Sequence, residues 1–128
     1  MHIVAKEPFD PKNHPAVAQA EQTIRAFGIE FQSRYGVLAE YRLMINVVET
    51  WLPRGLFWHI TRIFFDSKHG TVVVSLKQRD CDLKITAEKI ATVLKHYFGD
   101  GCFNVMVEDH DGQLLADSSQ YMLPLAGV

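Results

Sequence analysis

Hydrophobic positions in the first half of the chain recur every three or four residues, which is the spacing of one helix face. The series is Val17, Ala20, Ile24, Phe27, Phe31, Leu38, Tyr41, Ile45, Val48 and Leu52. One helix of that length is unusual in so short a chain, and Gly36 offers a break. We therefore predict two helices, over residues 15–34 and 38–51, packed as an antiparallel pair. Residues 42–48 are also rich in Ile, Val and Leu, so a strand there is the alternative.

The middle of the chain has the pattern of a β-hairpin. Runs of β-forming residues over 57–65 and 71–79 are joined by a loop at 66–70. If Asp66 lies opposite Thr71, alternate residues of the two strands share a face, although a one-residue slip would change the partners. The predicted inner face is Phe57, His59, Thr61, Ile63, Phe65, Val72, Val74, Leu76 and Gln78. The predicted outer face is Trp58, Ile60, Arg62, Phe64, Val73, Ser75, Lys77 and Arg79.

A further helix and a second hairpin complete the pattern. Thr86 is a suitable N-cap and Gly99 a stop for a helix with an apolar stripe. That stripe is Ile90, Val93, Leu94, Tyr97 and Phe98. Strands over 103–108 and 113–116 flank Asp111-Gly112, a common two-residue turn.

Together these elements predict an α+β fold. It has two N-terminal helices, the second with a strand as its alternative, and a mainly antiparallel sheet of two hairpins. One helix between the hairpins packs on the sheet. We expect residues 1–128 to form a single domain, with residues 1–13 and 118–128 irregular.

Composition narrows the function classes without naming a reaction. Of the 128 residues, 48% are hydrophobic and 22% are charged, which excludes wholesale disorder. The formal net charge of −2 argues against a uniformly basic nucleic-acid binder. Charge is nevertheless uneven, since residues 101–128 hold four acidic and no basic side chains. The chain shows no signal-peptide core and no long uncharged apolar run, so we expect a soluble, cytoplasmic protein without membrane contact.

Candidate chemistry is sparse. Cys81 and Cys102 have no CxxC spacing, which excludes a disulfide framework or a thiolate zinc site. Carboxylate and imidazole groups at Asp109, His110 and Asp111 could bind Mg²⁺ or Mn²⁺. However, neighbouring strand residues point to opposite faces unless a turn bends them together, and Asp is a common turn residue. The sequence lacks GxSxG, P-loop, GxGxxG and HExxH signatures, and we expect no cofactor.

The outer face of the first hairpin combines aromatic and basic side chains. Its predicted binding residues are Trp58, Arg62, Phe64, Lys77 and Arg79. Trp and Arg are enriched at the centres of protein interfaces, which favours a non-catalytic interaction module that acts by self-association or by partner capture. An adaptor, an inhibitor or an immunity-type protein fits this profile. The same face could instead bind single-stranded nucleic acid or RNA, because aromatic rings stack bases and basic groups contact phosphates. The further alternative is a small metal-dependent enzyme with its site at the C-terminal hairpin. A helix covering the outer face would bury it.

Overall fold

The computed structural model describes residues 15–34, 38–66, 68–98 and 103–120 of the chain. In chain order the elements are α1 (Pro15–Ala26), β1 (Glu30–Arg34), α2 (Leu38–Trp51), α3 (Arg54–Phe57), β2 (Ile60–Asp66), β3 (Thr71–Leu76), α4 (Lys84–Phe98), β4 (Asn104–Glu108) and β5 (Leu114–Asp117). This confirms the α+β class. The irregular segment predicted at residues 1–13, the part of the predicted tail at residues 121–128, and Cys102 lie outside the described residues.

The described strands form one mixed sheet whose spatial order follows the chain order, β1 to β5. The pairs β2–β3 and β4–β5 are antiparallel hairpins, as the sequence predicts. The pairs β1–β2 and β3–β4 are parallel, each connected through helical segments. The expectation of a mainly antiparallel sheet was therefore wrong, since the two hairpins are joined to their neighbours by parallel pairing.

The N-terminal segment differs most from the prediction. The first helix ends at Ala26 rather than at residue 34, because Gly28 adopts a positive φ of 78° that a helix cannot contain. The chain then extends as β1, in which Phe31 is buried. The helical spacing of Phe27 and Phe31 was misleading here, since Phe31 faces the core from a strand.

Residues 38–51 form a helix, and the strand alternative for residues 42–48 was wrong. The β-branched residues in this segment lie on the inward face of α2, where Ile45 and Val48 are almost fully buried. Tertiary burial therefore overrides their strand preference. Helices α1 and α2 pack together, and the hydroxyl of Tyr41 donates a hydrogen bond of 2.7 Å to the carboxylate of Glu21 inside this contact.

The first hairpin has the predicted register, with Asp66 opposite Thr71. A bulge between Ile60 and Arg62 then changes which residues share a face. Because of it, Ile60 is fully buried instead of lying beside Arg62 on the outer face. Thr61 leaves the predicted inner face, and its hydroxyl donates to the backbone carbonyl of Ser75.

Helix α4 begins at Lys84, two residues before the predicted cap at Thr86. The Asp82 carboxylate accepts a hydrogen bond from the backbone N–H of Lys84 at this start. The predicted apolar stripe is confirmed: its members are buried except for Tyr97, which is half-buried. The helix packs on β4 and β5 and against α2.

The core lies between the helices and one face of the sheet. From the strands, and from the position just before β1, it receives Ile29, Phe31, Ile60, Ile63, Phe65, Val72, Val74, Leu76, Val105, Val107 and Ala116. Residues that alternate with these point to the opposite side, where the described part of the chain places no helix. Among the described helices, none is both long and apolar enough to cross a bilayer.

Candidate functional site

The side of the sheet opposite the helices is a continuous surface that we call the open face. Its members are Glu30, Gln32, Arg62, Phe64, Asp66, Thr71, Val73, Ser75, Asn104, Met106, Glu108 and Asp117. Strand alternation places these residues there, because their sequence neighbours face the core. Their exposure ranges from the buried Ser75 to the exposed Glu30. A helix does not cover the face within the described residues.

The central row of the open face is apolar. Strand register places Phe64 beside Val73, and Val73 beside Met106. All three side chains are half-buried. Polar residues end the row on both sides, with Gln32 next to Phe64 and Asp117 next to Met106. The arrangement is that of a small apolar strip with a polar rim.

The neighbouring row carries opposite charges. Arg62 and Glu108 flank Ser75 across three strands, and an Arg62 Nη atom lies 3.9 Å from a carboxylate oxygen of Glu108. The Ser75 hydroxyl donates a hydrogen bond of 2.8 Å to the same oxygen. The Nε of Arg62 is buried and has no hydrogen-bond partner within the described parts of the chain. This row borders a shallow groove of about 410 Å³, lined by Glu30, Thr61, Arg62, Ser75, Glu108, Asp109 and His110.

At the β5 edge of the central row, Asp117 is held in its charged form. Burial acts to raise the pKa of this carboxyl, but hydrogen bonds from Ser119 and Asn104 outweigh it and lower the pKa below its usual value. Both the backbone N–H and the hydroxyl of Ser119 donate to Asp117, the latter over 2.8 Å. The rim at this edge is therefore a fixed negative charge.

The structure separates the five predicted binding residues into two places. Arg62 and Phe64 lie on the open face, as predicted. Trp58 lies between α3 and β2 rather than in a strand, with 58% of its surface exposed, and its ring meets that of Phe27 edge to face. Lys77 and Arg79 follow the end of β3. The bulge before Arg62 and the early strand ends explain why one continuous outer face does not form.

Trp58, Lys77 and Arg79 instead surround His59 at one end of the first hairpin. The Arg79 guanidinium donates to the backbone carbonyl of Trp58, and the Lys77 N–H donates to the carbonyl of His59 over 2.7 Å. Burial first, and then the charges of Arg79 and Lys77, lower the pKa of His59. The His59 Nδ1 is buried and lacks a hydrogen-bond partner among the described residues. His59 was predicted on the inner face, and its side chain is half-buried.

The predicted metal candidates meet in the β4–β5 turn. The turn brings one potential ligand atom from each of Asp109, His110 and Asp111 within 4.8 Å of the others. One Asp109 oxygen already accepts backbone hydrogen bonds of 2.9 Å from Asp111 and Gln113. Gly112, at a φ of 83°, completes the turn. These hydrogen bonds are typical of a turn and occupy one Asp109 oxygen. Asp109 is half-buried, whereas the side chains of His110 and Asp111 are exposed.

Sequence reasoning missed a second surface, on the helix side. Trp51 stacks on Tyr97 with 4.4 Å between ring centroids, and Leu43 is 47% exposed beside them. These residues border a groove of about 510 Å³ together with Arg42, Asn46 and Val47. The signal was present in the sequence, because Leu43, Val47 and Trp51 form a second apolar line at four-residue spacing on α2. We call this surface the helix groove.

Comparison of the chain with protein-family models, with curated proteins and with solved structures gives no significant match.

Proposed function

We propose that the protein is a non-catalytic interaction module that binds a protein partner through the open face of its sheet. The observation that carries the proposal is the central apolar row of Phe64, Val73 and Met106 on the side away from the helices. Apolar contact area supplies most of the driving force for protein association. The polar residues around the row supply direction and register.

The charge pattern of this face favours a protein over a nucleic acid. Glu30, Glu108 and Asp117 share the face with Arg62, and three carboxylates would repel a phosphate backbone. Among the described residues, support for nucleic-acid binding comes from the separate basic cluster of Trp58, Lys77 and Arg79. The proposed setting is the cytoplasm, a reducing compartment in which the exposed, free Cys81 stays a thiol.

Site-directed photo-crosslinking in cells tests the proposal. A benzophenone amino acid at Val73 sits in the middle of the apolar row, and the same amino acid at Gln22, exposed on α1, is the matched control. We expect irradiation to give a protein adduct from position 73 and none from position 22. A thermal melt of each variant checks that the fold is retained.

Two results would overturn the proposal. One is the absence of any adduct at position 73 in a folded variant. The other is an adduct that disappears on nuclease treatment, which would show that the face contacts nucleic acid. A crosslinker at Leu43 tests the helix groove in parallel. Adducts from position 43 but not from position 73 would indicate that the partner binds the helix side instead.

A further inference from the structure

We propose that the partner of the open face is a second copy of this chain, packed face to face about a two-fold axis that runs along β3. The inference rests on the proposed function and names the occupant of the same surface. Its basis is that β2 carries Arg62 and Phe64 on one side of β3, while β4 carries Glu108 and Met106 on the other side. The two halves of the open face therefore complement each other in charge and in apolar side chains.

A two-fold axis along β3 sets the contacts between the copies. It places β2 of one copy over β4 of the other and β1 over β5, and each row of the face meets the same row of the second copy. Two aligned sheets pack about 10 Å apart with strand directions within about 30° of each other. An axis along β3 keeps the two β3 strands parallel, so rows close to the axis stay opposed.

In the charged row, this arrangement brings Arg62 opposite Glu108 of the second copy, and the symmetry makes the contact twice. Within one chain, an Arg62 Nη atom comes no closer than 3.9 Å to the Glu108 carboxylate, and 43% of the Arg62 side chain is exposed. The exposed part of the guanidinium is therefore accessible to a second carboxylate. Arginine donates from several N–H groups at once, which suits a site between two carboxylates.

The central row is complementary in the same way. Val73 lies on the axis and meets its own copy, while Phe64 faces Met106 of the second copy. An aromatic ring and a thioether make a favourable contact. At the rim, the amide of Gln32 comes opposite the charged carboxylate of Asp117 of the second copy, which accepts a hydrogen bond from it.

The alternative two-fold axis, across the strands, is less favourable. It would place Asp117 of each copy opposite the other, and the pKa of this carboxyl is already lowered by its hydrogen bonds. Two charged carboxylates in contact repel each other. It would also remove the contact between Arg62 and the second copy's Glu108. Arg62 would then lie opposite Asp66, which is buried and already contacts the His69 ring. The charges on the face therefore favour the axis along β3.

The size of the face indicates how tight the dimer is. Five strands about 4.8 Å apart and five residues of about 3.3 Å each give a face of roughly 19 by 17 Å. That is smaller than the area of about 800 Å² per partner in a standard stable interface. We therefore expect a reversible dimer with a dissociation constant in the micromolar range, stronger at low salt because charge pairs contribute to it.

Charge-swapped variants test the proposal by mixing. Arg62→Glu and Glu108→Arg each place like charges across the interface, twice per homodimer. In a mixed dimer, the glutamate introduced at position 62 of one chain faces the arginine introduced at position 108 of the other. At the second, symmetry-related contact, the native Glu108 of the first chain faces the native Arg62 of the other. Each variant keeps its own unfavourable pair within the chain, so a purely intramolecular role for Arg62 and Glu108 predicts no gain on mixing.

Sedimentation velocity over about 10 to 500 µM, which brackets micromolar affinities, measures the dimer fraction. We expect the wild type to dimerise with concentration, each variant alone to lose at least about tenfold in affinity, and the mixture to regain most of it. A wild type that stays monomeric, or a mixture no better than its components, would overturn the proposal. If the benzophenone at position 73 then still crosslinks to a different protein, the proposed interaction function is supported and self-association is excluded. If position 73 gives no adduct either, both fall.

Discussion

Phe64 and Phe65 are neighbours on β2, yet they lie on opposite sides of the sheet and have different surroundings. Phe65 is fully buried in the core, where its ring meets that of Phe103 edge to face. Phe64 is half-buried in the central row of the open face. The difference shows that strand alternation gives the two sides of the sheet different weight in folding: side chains on the covered side hold the helices to the sheet, while those on the open side contribute less to stability.

The largest expected effect comes from truncating the two phenylalanines in turn. Phe65→Ala should lower the free energy of unfolding by about 3 to 5 kcal/mol, because it removes a buried ring and leaves a cavity. Phe64→Ala should cost about 1 kcal/mol, the scale of a cross-strand contact on a half-exposed surface. Urea titration monitored by circular dichroism measures both.

If Phe65→Ala does not fold, Phe65→Leu serves in its place, with an expected cost above that of Phe64→Ala. Equal costs at the two positions would remove the distinction between the two sides of the sheet.

Intermediate changes in the free energy of unfolding are expected from two polar pairs, one among the helices and one on the open face. Tyr41→Phe deletes the hydroxyl that donates to the buried Glu21 carboxylate, which we expect to cost about 1 to 3 kcal/mol because a buried acceptor loses a donor. Arg62→Gln deletes one partner of an ion pair that is partly in solvent, where the expected cost is about 0 to 1 kcal/mol. Chemical denaturation at pH 7 compares the two variants.

The contribution of Tyr41 to stability is also expected to depend on pH. Burial first, and then the hydrogen bond and charge of Glu21, raise the pKa of Tyr41 above its ordinary value, against a smaller lowering by Arg25. The folded state therefore favours the protonated phenol, and its stabilising contribution is complete below about pH 10 and lost as the pH rises further. The advantage of the wild type over Tyr41→Phe should shrink above that pH. A constant difference would contradict the assignment.

The smallest expected effect concerns His59, at the end of the hairpin between the two sides. Its lowered pKa means that the folded state favours the neutral imidazole. Stability from this group is complete above the unfolded pKa of about 6.5 and is lost as the pH falls below it. His59→Gln should flatten the decline in thermal midpoint between about pH 7 and pH 5, and the exposed control His96→Gln should not. The reverse pattern would exclude His59 as the source.

The sequence predicts elements in which one periodicity dominates. Helix α4 and the two hairpins emerged because their apolar stripes and turn residues agree. Strand β1 was missed because Phe31 continues the helical spacing of Ile24 and Phe27, and only the positive φ at Gly28 ends that helix. Parallel pairing could not be predicted, since the pattern of a strand shows which face is buried but not which strand lies beside it.

The candidate site was predictable in part for the same reason. Alternation correctly placed Arg62, Phe64, Val73 and Ser75 on one surface. The bulge between Ile60 and Arg62 then broke the parity, so that Trp58, Lys77 and Arg79 form a separate cluster. A bulge leaves no mark in the hydrophobic pattern that distinguishes it from an uninterrupted strand. Met106 and Glu108 joined the face through the parallel pairing of β3 with β4, which the sequence did not reveal.

The agreement between strand order and chain order has a consequence for how the protein is made. Each strand pairs with the one before it, so the sheet can grow strand by strand in the order of synthesis. Each pairing closes only a hairpin turn or one crossover, and such nearby contacts favour rapid folding. We expect β1 to β3 to assemble with α2 while α4 is still in the ribosome, leaving the edge of β3 as the template that β4 completes.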